Sequence, residues 1–247
     1  MRVDGYTTDI TERKKGLLRI EELNMLICKA SHDLKGPLNS AKNYIAIAKE
    51  NITDKNVLAY LDKIANAYDN MEQQVFSLLN LEKLHCSSVA IKKVDVKKMV
   101  NGILQSINNV PGFAQVEIVN EIGLSDLVDQ DIDCMHSILY NLISNAVVYK
   151  REGEGAFVKI SAHCDGNRLV LTVSDNGKGI AEALKSKIFD KYVRGNTGKA
   201  GSGLGLYIVK KMVEKVNGEV SFTSEEKKGT SFTVSLPILT NPTNKAA

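Results

Sequence analysis

At 247 residues, against about 150 per domain, the chain is long enough for two compact units or one large one, and either buries a core. A composition of 43% hydrophobic and 25% charged residues excludes disorder, collagen-like repeats and a disulfide-dense miniprotein. The balance of 32 Lys+Arg against 29 Asp+Glu leaves only +3, too little and too scattered for a nucleic-acid binder. No apolar run approaches the roughly 20 residues of a membrane span, and no signal peptide opens the chain, so a cytoplasmic location with no membrane segment is expected. The cysteines, Cys28, Cys86, Cys134 and Cys164, form no CxxC pair, which argues for reduced, mostly buried thiols rather than a zinc or dithiol site.

In chain order, Ile20, Leu23, Ile27, Ala30, Leu34, Leu38, Ala41, Ile45 and Ala48 recur at three and four residues and predict one seam of a long helix. Val57, Leu61, Ile64, Tyr68, Met71, Val75 and Leu78 predict a second. The short polar stretch Asn51 to Asn56 makes the pair an antiparallel hairpin. Two helices with narrow seams enclose no core, and a second copy completes a four-helix bundle, so a homodimer is expected.

After Ser88 the pattern changes. Val96 to Ile107 reads as a shorter helix, Gln115 to Ile122 as a strand and Ile132 to Tyr149 as a helix. Ala156 to Ala162 and Arg168 to Ser174 read as strands, Leu204 to Val216 as a helix, and Glu219 to Ser224 and Thr230 to Leu236 as two last strands. Mixed elements without strict βαβ alternation predict an α+β sandwich, one sheet covered by helices, ahead of a frayed tail. The expected division is a linker over 1–13, a helical unit over 14–88, a mixed α/β unit over 89–240 and a tail over 241–247.

Four constellations carry chemistry. In Ser31-His32-Asp33-Leu34-Lys35-Gly36-Pro37-Leu38, His32 lies midway between the seam residues Ala30 and Leu34 and so faces solvent, with Asp33 beside it to orient or deprotonate the imidazole. Gly36-Pro37 in mid-helix costs about 3 kcal/mol for the proline and about 1 for the glycine, which suggests a bend with a purpose. Asn141 and Asn145 share a helix face, and two amide oxygens suit a hydrated Mg²⁺; the plainer reading is a polar helix face. Asp175-Asn176-Gly177-Lys178-Gly179 ends a strand. It is either a simple turn or an acceptor, Asp175, for the exocyclic amine of adenine, with glycines that let the backbone approach a ligand. Gly201-Ser202-Gly203-Leu204-Gly205 opens a helix whose bare amides suit phosphate, although no Walker lysine follows.

In this order the four resemble the motif set of the sensor histidine kinases of two-component signalling, over about Thr11 to Pro237. SHDLKGPL resembles their phosphoacceptor box, NLISNAVVY the N box, DNGKGI the first glycine box, IFDKYVRG (Ile188 to Gly195) the F box and GSGLGLYIV the second glycine box. Asp9 to Lys15 resembles the end of a PAS domain and its helical exit, which implies a fragment of a longer sensor. The resemblance implies a dimerisation and phosphotransfer domain followed by an ATP-binding domain of the kind shared with gyrase and the MutL repair proteins. It also implies ATP and Mg²⁺ as cofactors and a response regulator receiver domain as partner.

Residue by residue, it makes His32 the phosphoacceptor and Asp33 its base or orienter, Asn141 and Asn145 the Mg²⁺ ligands, Tyr149 an adenine neighbour and Asp175 the adenine reader. Gly177 and Gly179 shape the adenine pocket; Gly201, Gly203, Leu204 and Gly205 belong to the phosphate lid, with Lys199 in its mobile stretch. Two departures stand out. Val148 occupies the usual basic position of the N box, so that a phosphate contact is either lost or taken over by Lys150 or Arg151. Gly36 stands where Thr or Asn is common, a position associated with dephosphorylating the partner, which argues against phosphatase activity. The competing functions are a serine kinase of the anti-sigma type and a pseudokinase scaffold.

Overall fold

The computed structural model describes residues 36–37, 40–41, 43–65, 67–68, 71, 91–108, 110, 112–124, 127–195 and 202–238. The chain falls into two compact units, Met1–Ser87 and Ser88–Ala247.

In the first unit, residues 43–51 and 55–65 are helical and are separated by only three residues. Asp54 starts the second helix, its Oδ1 accepting from the amides of Asn56 at 2.8 Å and Val57 at 3.3 Å. A Lys49–Asp62 ion pair at 2.8 Å ties the two helices together. Of the expected seams, Tyr68 is buried and Ile45, Ala48 and Leu61 are half-buried, whereas Val57, Ile64 and Met71 are exposed. One copy of the hairpin therefore leaves part of its apolar stripe in water.

The second unit runs β1 (Ile91–Val94), α1 (Val96–Ser106), β2 (Val116–Ile122), β3 (Val128–Asp131), α2 (Ile132–Val148), β4 (Ala156–Asp165), β5 (Arg168–Asp175), α3 (Glu182–Lys185), α4 (Gly205–Lys215), β6 (Glu219–Glu225) and β7 (Gly229–Pro237). Five strands form one sheet in the order β2-β4-β5-β7-β6, with β2 parallel to β4 and every other pair antiparallel. β1 and β3 make a separate antiparallel pair. These two strands and α3 are missing from the sequence reading, because four residues are too few to show a period.

Alternation decides which way the sheet faces. Val158 and Ile160 of β4, Leu171 and Val173 of β5, and Val234 and Leu236 of β7 are buried. The residues between them, among them Ser161, Thr172, Ser174, Ser231 and Thr233, are not. The helices complete the core with Val100 and Ile103 of α1, Ile138, Leu139, Leu142 and Ile143 of α2, and Ile208, Val209 and Met212 of α4. α1 and α2 start where short acids cap them: Asp95 accepts from the Lys98 amide at 2.8 Å and Asp131 from the Cys134 amide at 2.9 Å. Cys134 is buried, and burial pushes its thiol up to about 12, so it is inert. Cys164, at the end of β4, is exposed, against the expectation of mostly buried thiols; Cys28 and Cys86 lie outside the described residues.

A nucleotide-sized cavity between the central strands and two helices

β5 delivers Asp175 to the end of the sheet, where register sets it opposite Thr230 at the start of β7. The Asp175 carboxylate is largely taken out of water, and this burial pushes its pKa up to about 6, against the opposing hydrogen bonds from the amides of Gly177 and Thr230. The Gly177 amide reaches Oδ1 at 2.8 Å. A half-buried acceptor fixed by two amides is a pre-set partner for a ligand donor.

The glycines next to it are required by close approach. A Cβ on Gly177 would strike the Tyr149 carbonyl oxygen and lie 2.7 Å from Asp175 Oδ1. Gly179, at φ +67°, would strike the Glu225 carbonyl. Around them the turn is stitched to its neighbours: Lys178 N donates to Tyr149 O at 3.0 Å, Lys227 N to Lys178 O at 2.7 Å and Ile180 N to Ser224 Oγ at 2.9 Å.

From the other side, α2 presents Asn141 and Asn145 beside its buried stripe, both half-buried. Asn141 Nδ2 donates to Ser137 O at 2.8 Å, which leaves its Oδ1 directed at the start of α4. There a Cβ on Gly205 would sit 3.0 Å from Asn141 Oδ1 and 3.7 Å from the Asn145 amide. α4 begins without a side-chain cap and without an acid in its first turn, a helix start suited to anions. Gly203 serves a different purpose. At φ +69°, its Cβ would meet Tyr192 C at 2.8 Å, and its carbonyl accepts from Tyr192 N at 2.9 Å.

Asn145, Tyr149, Asp175, Gly177 and Gly179 all line one cavity of 890 Å³, floored by Leu142, Ala146, Val173, Ile180, Leu206 and Phe232. Phe189 and Phe222 pack on Phe232 with ring centroids 6.4 and 5.8 Å away. Asn141, Gly203, Leu204 and Gly205 are not in its wall; Leu204 is buried. His32, Asp33, Lys199 and Gly201 lie outside the described residues.

Of the two basic residues, Lys150 and Arg151, that could take over the contact if it is not lost with Val148, one lines the cavity. The stem of Lys150 covers Gly112, its Nζ donates to the Arg151 carbonyl at 3.5 Å and it does not line the cavity, whereas Arg151 does. Sequence reading missed Thr230 and Ser224, whose hydroxyls lie 2.9 Å apart beside Asp175. The one signal for them was a glycine, Gly229, ahead of a strand. Its Cβ would collide with the Asp175 carbonyl, a contact that only the β5–β7 register discloses.

Residues 130–240 match the family described as Histidine kinase-, DNA gyrase B-, and HSP90-like ATPase. The chain is 31% identical over 224 residues to the Autoinducer 2 sensor kinase/phosphatase LuxQ of Vibrio vulnificus strain YJ016, covering 86% of this chain and 26% of that protein. It is 30% identical over 248 residues to the Sensor protein kinase WalK of Staphylococcus haemolyticus, covering 95% and 40%. The chain thus spans between a quarter and two fifths of these relatives. Its fold is shared with the crystal structure of full-length ShkA in complex with AMPPNP, at a TM-score of 0.65 and 23% identity, over 87% of this chain and 46% of that one. The cavity, the motifs around it and these matches agree: residues 130–240 belong to the histidine kinase-, DNA gyrase B- and HSP90-like ATPase family, in a chain related to the sensor histidine kinases of two-component signalling.

Proposed function

We propose that the chain is an ATP-dependent protein histidine kinase that phosphorylates its own His32 and passes the phosphoryl group to an aspartate of a response regulator. The observation that carries this reading is that Asp175, Gly177, Gly179, Tyr149 and Asn145 line a shared cavity of a size for a nucleotide. Asp175 accepts from the adenine amine, Tyr149 flanks the base, and the uncapped start of α4 faces the phosphates.

Mg²⁺ fits the residues present. Asn141 has spent its amide nitrogen on Ser137 O and keeps its oxygen, and Asn145 adds a second amide on the same helix face. Bound there, the ion supplies charge neutralisation to the phosphates. The chain's own residues position the reactants: His32 forms a bond to the γ-phosphorus as the bond to the bridging oxygen of ADP breaks, and Asp33 takes the imidazole proton.

In this reading 14–88 is the dimerisation and phosphotransfer domain and 89–240 the catalytic domain. Homodimerisation is supported by Tyr44, Ile47, Tyr60, Ile64 and Met71 of the hairpin, which are between 50% and 72% exposed in one copy. A cytoplasmic location is part of the same proposal; among the described residues no helix is long and apolar enough to cross a membrane.

The test is incubation with labelled ATP and Mg²⁺, followed by mapping of the label. Acid-labile, alkali-stable phosphate that disappears in His32→Gln is expected. Acid-stable label on another residue would instead indicate a serine kinase, and nucleotide binding without label a scaffold.

A further inference from the structure

We infer that Asn176 is a positioning residue of the cavity, holding the segment that carries Arg151 by completing the β4–β5 ladder with its side chain; this rests on the nucleotide reading above. The regular pairing of β4 with β5 ends at Val158 opposite Asp175. Beyond it the chains part, and the amide of Asn176 takes over. Its Oδ1 accepts from Phe157 N at 2.9 Å and its Nδ2 donates to Gly155 O at 2.7 Å. A primary amide presents the same donor and acceptor as a peptide, so the side chain reproduces one more rung against residues 155 and 157. Asn176 also lines the cavity, with each of its two polar atoms engaged in this rung.

What this rung holds is the return from α2 into β4. Gly153 and Gly155 lie at φ +86° and +73°, so the return is built on two glycines in conformations that need fixing from outside. Arg151 and Glu152 line the cavity on this stretch. Glu152 is tied to Lys178 at 2.8 Å, whereas the Arg151 guanidinium has no ion pair among the described residues. A guanidinium fork on the wall of a nucleotide cavity is suited to the phosphates or to the ribose edge. Asn176 and Lys178, two residues apart on the turn that carries Asp175, thus grip both ends of the segment.

The experiment is a double-mutant cycle on ATP affinity, measured by calorimetry on the full chain, with Asn176→Ala, Arg151→Ala and their combination, and Asp175→Asn as reference. Each single change is expected to weaken binding by about threefold to tenfold, the range of one ordinary hydrogen bond. The pair is expected to be no more than about twofold worse than the weaker single variant, because Arg151 contributes only when Asn176 holds it. A loss of fold stability alone leaves the two effects multiplicative. Should Asn176→Ala not fold, Asn176→Asp keeps the acceptor for Phe157 and loses the donor to Gly155, and replaces it in the cycle. Multiplying losses, or unchanged affinity in either single variant while Asp175→Asn still binds weakly, would overturn the inference. Unchanged affinity in Asp175→Asn as well would overturn the nucleotide reading itself.

Discussion

Asp175 combines two properties that pull in opposite directions. Its burial suits it to receive a donor from a ligand, and the same burial makes its charge costly in the empty protein. Burial pushes its carboxyl up to about 6 in the fold from an ordinary value of 3.8, so the folded chain holds the proton more tightly than the unfolded one. Stability from this group is therefore full at low pH and is lost as pH rises through about 6. Asp175→Asn, which does not titrate, is expected to gain melting temperature relative to the unchanged chain between roughly pH 4 and pH 7. It is also expected to bind ATP roughly tenfold more weakly or worse, as for loss of a charge-assisted bond. Thermal melts at several pH values and a calorimetric titration check the two halves; a stability difference that does not change with pH would contradict the burial argument.

At the scale of elements, the start of α4 separates glycines that look alike in sequence. Gly203 has a positive φ and a backbone neighbour, Tyr192, that cannot yield, so Gly203→Ala is expected to destabilise the second unit by about 1 to 3 kcal/mol. Gly205 is helical, and the atom its Cβ would meet at 3.0 Å is the side-chain oxygen of Asn141. Alanine is the better helix former by about 1 kcal/mol, so Gly205→Ala is expected to leave stability nearly unchanged while displacing the Asn141 oxygen. Its effect should appear in the Mg²⁺-dependent part of nucleotide affinity. Urea unfolding of the two variants, with titrations in and out of Mg²⁺, distinguishes them. In the hairpin, Gly36 is helical and exposed with nothing within 4 Å of a Cβ, so a longer side chain fits there. With no hydroxyl or amide at this position to hold an attacking water, the chain is expected to dephosphorylate its regulator poorly and Gly36→Asn to do so faster. The readout is decay of the phosphorylated regulator with ADP; strong acceleration by the unchanged chain would refute this.

For the whole molecule, the exposed face of the hairpin sets the expected assembly. Apolar side chains at Tyr44, Ile47, Tyr60 and Ile64 gain about 25 cal/mol for each Å² removed from water, and an isologous partner removes it. Sedimentation is expected to show a dimer whose melting temperature rises with concentration, and Ile64→Asp to shift it toward monomer. A chain that sediments as a monomer at high concentration would exclude this use of the face.

The identity and order of the longer elements are legible in the sequence, because α2, β4, β5, α4 and β7 each carry enough residues for a period of 3.6 or 2 to show. The sequence also pointed to Asp175, Gly177, Gly179, Tyr149 and Asn145, which line one cavity although nearly thirty residues separate α2 from the end of β5. The tertiary structure decided everything that depends on contact across the chain. Thr230 and Ser224 join Asp175 only through the β5–β7 register, and Arg151 rather than Lys150 lines the cavity because the Lys150 stem lies over Gly112. It decided, too, why the glycines are glycines: Gly203 makes room for the Tyr192 backbone and Gly205 for Asn141. Periodicity reports how a residue relates to its own element, whereas these roles arise from packing between elements, which local pattern does not encode.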